Sequence, residues 1–154
     1  MQRSPAAARW LAGLALLALC AVGAPATAKA PKGGTNLLFS FVSHQGGFDT
    51  TLIFANTSVD LFGTLPADGT CTLHFFGTNP PAPTQTPSIG AGTVFTTTAG
   101  ALAPSFQGYV IAVCDAPLLH GLATIGPIGG DSLAGYPALV IPPGKRKKLE
   151  RLDE

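Results

Sequence analysis

The chain has 154 residues, with nine lysines and arginines, eight aspartates and glutamates and a formal net charge of +1, but its charges are segregated. From Gly33 to Gly144 there is no cation, and the only formal charges are Asp49, Asp60, Asp68, Asp115 and Asp131. A body of this kind cannot neutralise a nucleic-acid backbone or clamp a phosphate, so nucleic acid is excluded as its partner.

Residues 1–28 have the three parts of a secretory signal: Arg3 and Arg9 in a basic n-region, an apolar stretch from Trp10 to Val22, and an A-x-A site at Ala26-Thr27-Ala28 before Lys29. Cys20 falls inside the apolar stretch, and Leu19 before it does not suit lipoprotein processing, which requires a small residue there. No later segment offers the roughly 20 uninterrupted apolar residues of a bilayer-spanning helix. The mature chain is therefore expected to be secreted, periplasmic or extracellular, without an integral span. Cleavage leaves about 126 residues, enough for one domain. Residues 29–35 read as a flexible linker, 36–143 as the domain and 144–154 as a charged tail.

Short apolar or alternating runs then follow in order: Asn36 to Ser43, Phe48 to Thr57, Thr70 to Thr78, Thr93 to Thr98, Phe106 to Asp115, His120 to Ile125 and Leu133 to Ile141. Turn-forming sequences separate them, among them Gln45-Gly46-Gly47, Ala67-Asp68-Gly69, Asn79-Pro80-Pro81 and Gly126-Pro127. Seven β-rich runs without helical periodicity predict an all-β fold, a single antiparallel β-sandwich of about seven strands. The run from Gln107 to Cys114 is apolar on both alternating faces and reads as a central strand.

Removal of the signal leaves Cys71 and Cys114, an even pair in an exported chain, which predicts one disulfide. Alternation places Cys71, Leu73 and Phe75 on one face of their strand and Thr72 and His74 on the other. The bridge is thus expected in the core, joining the two sheets.

The segments Gly47-Phe48-Asp49-Thr50-Thr51-Leu52-Ile53-Phe54-Ala55-Asn56-Thr57-Ser58, Gly69-Thr70-Cys71-Thr72-Leu73-His74-Phe75-Phe76-Gly77 and Phe106 to Cys114 together resemble a small exported bacterial β-sandwich module. The resemblance runs from Leu37 to about Pro142 and implies architecture, with no reaction or catalytic residue to carry over. The chain departs from that pattern at Thr51, where glycine is usual, and in its tail. In outline it also resembles an immunoglobulin domain, but no tryptophan follows residue 28 and no tyrosine stands two residues before Cys114.

Several residues are candidates for chemistry. Gly130-Asp131-Ser132-Leu133 spells an esterase nucleophile block, yet no histidine follows Ser132, and a polar turn explains it. His44, His74 and His120 lack short-range ligand spacing and read as scattered side chains rather than a metal site. Asp49, Asp60, Asp68 and Asp115 read as turn and strand-end caps, with no calcium-loop pattern among them. Asn56-Thr57-Ser58 matches a glycosylation sequon. The cations Lys145, Arg146, Lys147, Lys148 and Arg151 give the tail a means of touching anionic surfaces.

The functional expectation is a secreted or envelope-associated structural and interaction module, non-enzymatic and without cofactor or metal, binding neutral polysaccharide or its own copies. A small hydrolase or carbohydrate-active module using Asp131 and Ser132, or Asp115, is the first alternative. A periplasmic metal binder using the histidines is the second.

Overall fold

The computed structural model describes residues 33–142. The proposed signal with its cleavage residues Ala26, Ala28 and Lys29, and the tail from residue 144, lie outside the described residues.

Nine strands and one helical turn follow in chain order: β1 (Asn36–Ser43), β2 (Phe48–Asn56), β3 (Cys71–Thr78), β4 (Thr84–Gln85), β5 (Val94–Thr98), α1 (Ala99–Leu102), β6 (Gln107–Cys114), β7 (Leu119–Pro127), β8 (Ala134–Pro137) and β9 (Leu139–Ile141). They form two antiparallel sheets, β4-β3-β6-β1-β9 and β5-β2-β7-β8. The expected all-β sandwich is present, with β6 in the middle of its sheet. Among the described residues no helix is long and apolar enough to cross a membrane.

Period-two alternation builds the core. Leu37, Phe39, Leu73, Phe75, Val110 and Ala112 of the first sheet, and Leu52, Phe54, Leu119 and Ala123 of the second, are buried. Phe39 meets Phe54 edge-on at 5.3 Å between ring centroids, joining the two inner faces. Phe106, just before β6, meets Phe75 in the same way at 5.3 Å. Such edge-to-face pairs add to area burial through the ring quadrupole.

The structure corrects the sequence reading at several points, beginning with the short edge strand β4, which none of the seven runs included. The Cys71–Cys114 disulfide is present and faces the core, but it joins neighbouring strands of one sheet, Cys71 lying directly opposite Cys114 in the β3–β6 ladder. Its Cα atoms are 4.0 Å apart, the closer of the two antiparallel pair spacings, because both amides bond elsewhere: Cys71 to Thr86 Oγ1 and Cys114 to the Thr35 carbonyl. The single run read from Leu133 to Ile141 is two strands on different sheets. Proline cannot donate to a ladder, so β8 ends at Pro137, and Ala138, bonded to the Gly121 carbonyl, carries the chain across. Gly126 and Pro127 belong to β7, and the turn falls at Ile128 to Gly130, where Gly129 has φ of 74°. Last, α1 interrupts the β pattern as one turn, capped by Thr98 Oγ1 accepting from the Ala101 amide.

The outer face of β6 is open to solvent rather than covered, with Tyr109 and Val113 both exposed. Phe76 on β3 stacks on Tyr109 at 5.0 Å and 11°. Beside this stack, Gly77 and Gly108 oppose each other, and a Cβ at Gly108 would fall 2.0 Å from the Phe76 carbonyl oxygen. Glycine at both positions lets the two backbones approach, since a Cβ at Gly77 would likewise fall 2.2 Å from the Gln107 carbonyl oxygen.

Candidate functional site

At the end of the sandwich where β1 finishes and β2 begins, a cavity of about 370 Å³ opens between the sheets. A β-bulge shapes it. Between Phe39↔Val110 and Val42↔Gly108 the ladder gains one residue on β1, so Phe39 and Val42 both face the core while Ser40 and Phe41 are pushed outward. The bulge would leave the Phe41 backbone unpaired. Tyr136 of β8 reaches across from the other sheet, its hydroxyl accepting from the Phe41 amide at 3.2 Å and donating to the Phe41 carbonyl. Burial holds the Tyr136 phenol above the usual tyrosine range, which keeps it protonated as a donor.

Phe41 and Phe48 line the cavity and are 44% and 41% exposed, so their ring surfaces are open to a ligand. Ile125 and Leu133 supply aliphatic wall. Ser43, Gln45 and Gln107 supply the polar groups. Each is fixed in place: Thr50 Oγ1 accepts from the Ser43 amide and donates to the Ser43 carbonyl, Gln45 Nε2 donates to the Ser105 carbonyl at 2.6 Å, and Gln107 pairs with both Ser43 and Thr78 in the ladder. The turn Gly46-Gly47, with φ of 63° and 80°, brings Phe48 back to the rim. None of the lining residues is ionisable.

His44 lies beside this cleft. Its Nδ1 is buried 3.3 Å from Asp49 Oδ1 but without hydrogen-bond geometry. Asp49 Oδ1 meanwhile accepts from the Thr50 and Gly100 amides at 2.8 and 3.0 Å, capping β2 and holding α1.

The other candidates are dispersed. His74 is on the outer face of the first sheet and His120 is exposed on β7 of the second, so the fold does not bring the histidines together. Among the described residues no group of three or more potential ligands could hold a metal ion. Asp115 caps Thr70 through its amide at 2.6 Å and its hydroxyl at 3.0 Å, Asp68 accepts from Ala91 at 2.9 Å, and Asp60 accepts from Phe62 at 2.8 Å. Ser132 Oγ donates to Thr124 Oγ1 at 3.1 Å, and Asp131 is exposed in the turn that leads to Leu133 of the cleft. The sequon is overturned as a glycan acceptor: Asn56 is 2% exposed, and its Nδ2 donates to the Ala67 and Ile89 carbonyls at 2.8 and 2.9 Å.

Sequence reasoning missed Phe41, Phe48, Gln107 and Tyr136. The one signal present was a break of phase, since alternation through Leu37, Phe39 and Phe41 should leave Val42 outside.

No family model, curated protein or solved structure matches the chain. Fold and site define a class: a two-sheet β-sandwich with an intrasheet disulfide and an uncharged aromatic cleft at one end.

Proposed function

We propose that the chain is an exported, non-catalytic module of the bacterial envelope or extracellular space that holds neutral polysaccharide in the end cleft. The observation that carries this reading is the lining: two half-exposed phenylalanines beside two amides and a serine, with no ionisable side chain. Sugar rings present apolar C–H faces to aromatic rings and hydroxyls to amides, and an uncharged wall imposes no desolvation of a fixed charge on binding. The Phe76–Tyr109 stack lies two residues along β6 from Gln107, on the same face, and extends the aromatic surface past the cleft. A secretory segment and a disulfide both suit an oxidising compartment, and kinship with small exported bacterial sandwich modules rests on the three strand segments.

The test is retention of the naturally processed protein on a panel of neutral and acidic polysaccharides, with ester and glycoside turnover measured in parallel. Neutral-glycan binding that falls about tenfold or more in Phe48→Ala supports the reading. Retention on acidic glycans alone, or turnover lost with Ser132→Ala or Asp131→Ala, would replace it.

A further inference from the structure

The end of the sandwich opposite the cleft carries a different kind of surface. There the loop between β2 and β3 presents Leu61 fully exposed and Phe62 92% exposed, with Val59, Leu65 and Val94 also open. This exposure is held in place from below. Asp60 accepts from the Phe62 and Thr64 amides and from the Thr64 hydroxyl, closing a tight turn under the two side chains. Buried Asn56 and Ser58 fasten the loop through the Ala67 carbonyl. A loop built this rigidly, yet with its two largest apolar side chains in water, has no use for them in its own fold.

The described body begins and finishes at this same end, and in the sequence cations stand just beyond both points. Asn36, the first residue of β1, pairs with Ile141, the last of β9, so both termini of the described body leave here. Lys32 directly precedes Gly33, and Lys145-Arg146-Lys147-Lys148 begins three residues after Pro142, a span of at most about 11 Å. No cation lies between Gly33 and Gly144, so the positive charge of the sequence is confined to the segments that adjoin the chain's entry and exit at this end.

We propose that this end docks on an anionic lipid bilayer, with Leu61 and Phe62 entering the headgroup–acyl boundary and the flanking basic segments engaging the lipid charge. Either signal alone gives weak, reversible attachment, and the pairing of an apolar insertion with a polybasic segment is what makes peripheral binding stable. The acidic body would be repelled from such a surface, which orients the opposite cleft outward. This inference is independent of what the cleft holds.

The experiment uses naturally processed protein and vesicles of phosphatidylcholine with or without phosphatidylglycerol. Phe62→Trp supplies a reporter, since Trp10 lies within the proposed signal segment. We expect co-sedimentation with the anionic vesicles only, weakening as salt is raised, and a blue-shifted Trp emission on binding. Joint Leu61→Ser and Phe62→Ser substitution should lower affinity about tenfold or more at an unchanged melting temperature. Joint Lys145→Glu, Arg146→Glu, Lys147→Glu and Lys148→Glu substitution should lower it about tenfold or more and remove the salt dependence. Equal binding to the zwitterionic vesicles, an unshifted Trp in the bound state, or full binding by the double serine variant overturns the proposal. So does a finding that the double serine variant loses only self-association, which would make the loop a protein contact.

Discussion

Tyr136 and Phe41 are joined across the two sheets by a reciprocal hydrogen-bonded contact, one hydroxyl serving both backbone groups that the β1 bulge leaves unpaired. The contact ties the strand just before the chain crosses between sheets to the residue that walls the cleft. Tyr136→Phe keeps the ring, which packs against the core, and removes only the hydroxyl. It should destabilise the fold by about 1–3 kcal/mol, the cost of leaving backbone groups unsatisfied. Urea unfolding of the two proteins measures the effect. An unchanged midpoint would show that water replaces the phenol without loss.

The disulfide closes a loop with a sequence separation of 43, for which chain entropy predicts about 4 kcal/mol. Cys71→Ala or Cys114→Ala should therefore cost about 2–5 kcal/mol. Reduction should expose the body to a protease that cleaves at aromatic residues, since cutting requires local opening. Trypsin gives no such readout because it has no site between Gly33 and Gly144.

Asn56 carries the largest buried polar commitment of the loop. Asn56→Ala leaves the Ala67 and Ile89 carbonyls without its two donated bonds and opens a space in the interior. A loss of about 2 kcal/mol is expected, seen as faster amide exchange in residues 57–69 before global unfolding.

Asp60 sets the acid limit of the apolar loop. The Thr64 hydroxyl first, and the Phe62 amide next, hold its carboxyl below the ordinary 3.8. A depressed carboxylate contributes order that is fully present above the ordinary value and lost as pH falls through the lower folded one. Amide shifts of Phe62 and Thr64 should accordingly stay constant from neutral pH down to the carboxylate range and then move together. Asp60→Asn should abolish that coupled transition.

The β1 to β3 boundaries, the facing of Cys71, Leu73 and Phe75, and the capping roles of the aspartates were legible in the sequence because they depend on local period and on short-range hydrogen bonding. The disulfide's placement was not. Two cysteines on inward faces fit a bridge within a sheet as well as one between sheets, and strand order decides which. The cleft was illegible for a related reason: Phe41 and Phe48 look like ordinary strand residues until a bulge and a glycine turn aim them at the same opening. Pro137 was the readable clue to the crossing at Ala138, since a proline within a run of strand character demotes that run to an edge or an end.

The pairing of Asn36 with Ile141 gives the body a mechanical character. Tension applied through the two termini would load the β1–β9 bonds one pair at a time, Asn36–Ile141 first, then Leu37–Val140 and Leu38–Leu139, so the edge strand peels off like a zipper at low force. Extension could then draw out β8 from the second sheet, but the segment from Cys71 to Cys114 cannot lengthen while its bridge is intact. An oxidised molecule is thus a short tether with a hard stop, and a reduced one a longer, softer spring.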